Sequence, residues 1–130
     1  MKKLLIPSIF FVLLISFSFA QKPYKVVFYN LENFFDTIND PEVLDDEFTP
    51  DGPKKWNTAK YNKKLNNTER VLFDIAAIDK NYPIVIGVSE VETRGVLEDI
   101  VATPKLAPAN YRIAHFDSPE ARGVDVAFLY

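Results

Sequence analysis

The chain of 130 residues contains no cysteine, one histidine, one methionine and one tryptophan. Without cysteine there are no disulfides to staple the fold and no thiol to carry a lipid anchor. Stability must then come from an apolar core. Positive charge is also scarce: 15 Lys and Arg face 18 Asp and Glu. A surface with that balance does not bind nucleic acid tightly by electrostatics alone, and no basic, aromatic-studded face is evident. A site that meets phosphate through a metal ion remains compatible with it. There is no internal repeat and no low-complexity segment, and the length suits one domain at most.

What is present begins with an address. Lys2 and Lys3 precede an almost continuous apolar run from Leu4 to Ala20, closed by Ser18-Phe19-Ala20. A basic start, an apolar middle and small residues at the end form a secretory signal. A membrane-spanning helix needs about 20 apolar residues; this run is shorter and carries Pro7. The expectation is a signal peptide over residues 1–20, cleavage after Ala20, and export to the periplasm or the medium with no membrane attachment afterwards. Taking Lys2 and Lys3 from the 15 basic residues leaves 13 against 18 acidic ones over residues 21–130. That is a net charge of about −5, which sharpens the electrostatic argument.

The remaining residues predict a mixed α/β domain. Gln21 to Asn33 reads as a strand, nearly all apolar from Val26 to Tyr29, as in a central strand covered on both faces. Asp36 to Trp56 reads as a long solvated acidic loop with Pro41, Pro50, Pro53 and Gly52. Its oxygen-rich composition permits a cation, but the spacing lacks the calcium-loop pattern. Asn57 to Asp79 predicts a helix capped by Asn57 or Thr58. Its apolar stripe holds Tyr61, Leu65, Leu72, Ile75, Ala76 and Ile78, with Thr68 in the gap; Lys60, Lys63, Lys64, Asn67 and Arg70 should face water. Ile84 to Val88 predicts a second buried strand, followed by Ser89-Glu90-Val91-Glu92. Gly95 to Ala102 predicts a short helix. Tyr111 to Phe116 and Val124 to Tyr130 predict two more strands. The last of these ends the chain, so its ladder groups and apolar surface are expected to lack a partner, as in a truncated gene product.

The strand ends point to a site. Ligands of open α/β sheets bind outside the carboxyl ends of strands, and strands joined by one helical crossover are commonly neighbours. Asn30 and Glu90 each close an apolar strand, so an amide and a carboxylate are expected at one rim. A carboxylate there is costly to bury unless paired or bound to metal. One carboxylate with water and substrate phosphate is the usual way to hold Mg²⁺. The plain alternative is that Glu90 begins a solvated loop.

The segment Phe28-Tyr29-Asn30-Leu31-Glu32-Asn33-Phe34-Phe35-Asp36 resembles the first motif of the endonuclease/exonuclease/phosphatase superfamily, the metal-dependent group that includes deoxyribonuclease I. Pro83 to Glu92 resembles its second motif, a strand closed by Gln-Glu, with Ser89 in place of the usual Gln. Arg122 to Tyr130 is similar to a core strand of the secreted bacterial branch. The likeness runs from Tyr24 to Tyr130 and takes in Trp56 and the long helix. It implies part of a four-layer α/β sandwich, with residues 21–130 as the N-terminal part of the domain. It also implies Mg²⁺ or Mn²⁺ as cofactor and a phosphate-ester substrate, nucleic acid among the candidates. By position, Asn30 and Glu90 are the expected catalytic and metal-site residues, with Glu90 the ligand and Glu92 the runner-up. Arg122 suits either a bidentate contact to substrate phosphate or a solvated turn.

The family's Asp-x-Asn pair, its further aspartate and its late Asp-His pair have no counterpart in these residues. Asp79-Lys80-Asn81 fits only by letters and falls before the Glu90 strand. His115 is followed by Phe116-Asp117 rather than preceded by Asp, so it is expected to be structural, facing solvent or a sheet surface. The expected function is the N-terminal portion of an exported Mg²⁺-dependent phosphoesterase, inactive by itself. The competing expectation is a non-catalytic exported fragment whose exposed last strand pairs with a partner chain.

Overall fold

The computed structural model describes residues 23–130; residues 1–20, expected to be a signal peptide, lie outside them. Four strands and two helices follow in the order β1 (Val26–Phe34), α1 (Thr58–Ala77), β2 (Val85–Val91), α2 (Arg94–Ala102), β3 (Ile113–Phe116) and β4 (Asp125–Leu129). The sheet order is β1-β2-β4-β3. β1 and β2 are parallel, joined by the α1 crossover; β4 runs antiparallel to both β2 and β3. The class is the mixed α/β architecture that the pattern of elements predicts. Among the described residues no helix is long and apolar enough to cross a membrane.

Each element forms for a local reason. Asn57 is extended and its side chain accepts from Lys60 N, capping α1. Thr93 does the same for α2 through Val96 N. Phe34, Ile86, Val88, Val91 and Leu129 on the sheet interlock with Leu72, Val96, Leu97 and Ile100 on the helices as one core. Each such side chain contributes about 1.5–3 kcal/mol by leaving water.

Among the described residues the core lies on one side of the sheet only. Along β1 and β4 burial alternates: Val26, Phe28, Val126 and Phe128 are half or more exposed, while Ala127 and Leu129 are buried. Cover on both faces, expected for the first strand, is therefore absent among the described residues; both helices pack on the same face, and the alternate side chains point away from them. Phe28 lies across Gly87 on this open face, where a Cβ would come within 2.5 Å of its ring. The expected loss of ladder partners at the last strand does not occur either. β4 is interior to the sheet, paired on both sides, and the edges are β1 and β3.

Smaller corrections concern single residues. Ile78 belongs to the end of α1 and is 81% exposed, because the helix stops at Ala77 before its stripe completes another turn. Lys64 does not face water. It is half-buried, 5.4 Å from the Phe34 ring centre and 5.7 Å from that of Trp56. The acidic loop is partly built in: Asp45 is buried, Trp56 Nε1 donates to Phe35 O, and Phe35 stacks on Phe48.

Candidate active site at the ends of the first two strands

β1 and β2 both break their regular pairing at the same level. Asn30 sits opposite Ser89, but the next aligned pair is Phe34 and Val91. Two extra residues on β1 are absorbed by Glu32 and Asn33, with φ of 57° and 58°. On β2, Glu90 is itself the extra residue against β4, with φ of 58°. A left-handed backbone costs a non-glycine residue roughly 1–3 kcal/mol, and such residues gather at functional sites. Asparagine tolerates it best of the three.

These bulges turn the polar groups toward each other. Asn30 Nδ2 donates to Glu90 Oε1 at 3.0 Å, and the backbone N–H of Asn33 donates to Glu90 Oε2 at 3.0 Å. Asn30 Oδ1 accepts from Glu32 N at 2.7 Å. The amide therefore presents nitrogen to the carboxylate and oxygen to the turn, and each end meets the partner its chemistry requires. On the helix side, Lys64 Nζ donates to the carbonyls of Glu32 (2.5 Å) and Asn33 (3.3 Å). Burial holds the Lys64 ammonium below its usual pKa, against the pull of Glu32 and Glu90. Arg122 Nη1 donates to Asn33 Oδ1 at 3.0 Å, and its Nε to Glu120 at 3.0 Å. Asn33 thus links the Glu90 carboxylate, through its N–H, to the Arg122 guanidinium, through its side chain. A cavity of about 480 Å³ opens beside Arg122, lined also by Asp46, Phe48 and Lys54.

Glu92 does not share Glu90's surroundings. The left-handed turn at Glu90 breaks the two-residue alternation, and Glu92 is buried instead under the acidic loop. Its Oε2 accepts from Asp36 N at 2.6 Å. Burial pushes its pKa up to about 8, opposed by that N–H and reinforced by the Asp36 and Asp45 carboxylates. Asp45 Oδ2 accepts from Asp40 N, while its Oδ1 is buried without a partner. The His115 side chain is 6% exposed, not turned to solvent, and its Nε2 is 2.9 Å from Asp125 Oδ2.

A model of the endonuclease/exonuclease/phosphatase family matches residues 25–130. The chain belongs to this family. Searches of curated proteins and of solved structures gave no match. Members of the endonuclease/exonuclease/phosphatase family are in general metal-dependent hydrolases of phosphate esters or nucleic acids. In this member the structure brings Asn30 and Glu90 into direct contact and carries Arg122 to the neighbouring Asn33. Sequence reasoning missed Asn33 and Lys64. Asn33 carried a usable signal, since an Asn-x-x-Asn at a strand end suits a left-handed bulge. Lys64 carried none, for a lysine on a helix is ordinarily solvated.

Proposed function

We propose that this chain forms the metal-binding side of an exported phosphoesterase that hydrolyses phosphodiester or phosphomonoester bonds with Mg²⁺ or Mn²⁺. The contact between the Asn30 amide and the Glu90 carboxylate, built on three left-handed residues, is the observation that carries this reading. Export rests on the signal pattern of residues 1–20 and places the activity in the periplasm or outside the cell.

The donor set suits a hard cation. Each Glu90 oxygen accepts one hydrogen bond and keeps a further lone pair. Asn30 turns its nitrogen to Glu90, so its part is to aim the carboxylate, and the ligating oxygen is that of Glu90. When bound, the ion would polarise a phosphoryl oxygen and steady a leaving oxygen. The chain's own residues orient and balance charge. Asn30 and the Asn33 N–H fix the Glu90 rotamer, and Lys64 fixes the turn that presents that N–H. Arg122 stands ready to exchange the Asn33 amide for a substrate phosphate oxygen. No residue described here is placed to activate water, so the 130-residue chain is expected to be silent on its own.

Titration of the full chain with Mn²⁺ tests the reading. Glu90→Gln is expected to weaken binding at least tenfold, since second-shell losses alone cost that much. Equal affinity in the variant would remove the hydrolase assignment of this site. Assay on nicked DNA and on a chromogenic phosphodiester with Mg²⁺ should give no turnover. Turnover that Glu90→Gln abolishes would show that water activation is present after all.

The open sheet face supports a second reading, a non-catalytic exported fragment completed by a partner chain. Val26, Phe28, Phe116, Val126 and Phe128 are all half or more exposed on it, more apolar side chains than a monomer usually leaves together. A monodisperse, cooperatively melting monomer would refute that reading.

A further inference from the structure

We propose that the β3–β4 hairpin carries a second metal site, separate from Glu90, in which His115, Asp117 and Asp125 bind one divalent transition-metal ion. The hairpin register puts the three on one face. His115 lies opposite Ala127 and Phe116 opposite Val126, so positions 115 and 117 on one strand line share a side with 125 on the other. One ligand atom from each lies within 4.8 Å of the other two. His115 Nε2 and Asp125 Oδ2 are hydrogen-bonded at 2.9 Å, and an opening to about 3.3 Å makes them adjacent ligands of one tetrahedral ion. The wider gaps involve Asp117, which is exposed. Tetrahedral ligand bonds of about 2.0–2.2 Å set donors about 3.3–3.6 Å apart, so binding would draw the Asp117 carboxylate inward.

The two inner ligands are held in place. Their side chains are 6% and 4% exposed, and Asp125 Oδ1 accepts from Ser118 N at 2.7 Å. Anchoring of this kind orients ligands in known metal sites. The three residues line a cavity of about 550 Å³ whose other walls include Asp40, Glu42 and Glu92. Among the described residues one permanently charged cation faces it: Arg94, bound to Glu98 and reaching the Ile113 carbonyl. Glu92 is more than nine-tenths buried, and Asp45, in contact with it, keeps a buried oxygen without a donor. A set of one imidazole and two carboxylates suits Zn²⁺ rather than Mg²⁺, Ca²⁺ or Mn²⁺, which prefer oxygen ligands. The loop between the ligands carries Arg122, so an ion at its neck would position the arginine that reaches Asn33.

His115 is the only histidine, so its ring nitrogens report on this site without ambiguity. The full chain, labelled with ¹⁵N-histidine and held in excess Mg²⁺, is titrated with Zn²⁺. One imidazole nitrogen should move to the metal-bound shift at one equivalent. Asp117→Asn should weaken Zn²⁺ at least tenfold, and Glu90→Gln should leave the His115 response unchanged. A His115 signal indifferent to Zn²⁺, a response lost in Glu90→Gln, or wild-type affinity in Asp117→Asn overturns the proposal. If Asp117→Asn alters the far-ultraviolet dichroism, Asp125→Asn decides by the same nitrogen signal. Loss of the shift there supports the site, and its retention at wild-type affinity overturns it.

Discussion

Replacing Asn33 separates what its backbone does from what its side chain does. The backbone N–H holds Glu90 Oε2, whereas the side chain accepts from Arg122. In Asn33→Gly the N–H survives. The left-handed φ of 58° becomes free of strain, worth about 0.5–1 kcal/mol, and the looser unfolded chain takes back a similar amount. The exposed bond to Arg122 accounts for about 0.5 kcal/mol more. The net change is expected within about 1 kcal/mol of zero. Asn33→Val keeps the N–H as well but forces a β-branched residue into the left-handed region. That costs about 1–2 kcal/mol, and with the lost side-chain bond about 1.5–2.5 kcal/mol. Urea denaturation gives both differences, and Mn²⁺ titration gives the effect on Glu90. The glycine variant should bind Mn²⁺ within threefold of wild type. A tenfold loss in Asn33→Gly would refute the claim that the backbone amide holds the carboxylate. A neutral Asn33→Val would refute the strain argument.

Two further outcomes concern the scaffold. Leu97→Ala removes a fully buried side chain from the centre of the core and should lower unfolding free energy by about 2–5 kcal/mol, read from the urea midpoint. The Asp79 carboxyl is held below its ordinary pKa, chiefly by the bond from Lys25 at 2.5 Å. A depressed folded pKa means that its stabilisation is complete above the unfolded value near 3.9 and fades as pH falls through the lower folded value. Thermal melts between pH 2 and 6 should therefore show a smaller acid-induced drop in Asp79→Asn than in wild type.

Much of the fold could be read from spacing. The α1 stripe, the Asn57 cap and the parallel pairing of β1 with β2 follow from periodicity and a crossover connection, which are local signals. The meeting of Asn30 with Glu90 could be anticipated because both close apolar strands in one sheet. Of the bulges only Asn33 gave a sign, since no glycine marks them and left-handed Glu32 and Glu90 violate their own residue preferences. That is why Glu92 was expected beside Glu90 and instead lies under the acidic loop. One-sided cover was hidden because Val26 and Phe28 have the same letters whether a helix or water faces them. Lys64 and the His115–Asp125 pair were hidden for the opposite reason: they are polar groups enclosed by tertiary contacts, Lys64 by strand residues about thirty positions away and the pair by the hairpin.

The bare side of the sheet also divides the chain's positions by what holds them in place. Swapping Val126 or Phe128 for threonine leaves the helix-side core untouched, so cooperative melting of this layer should scarcely register it. Leu129, one step along the same strand, is fully enclosed and admits no such exchange. A hydrophobic identity retained at 26, 28, 126 and 128 would answer to whatever rests against that surface, because the folding of this layer does not require it.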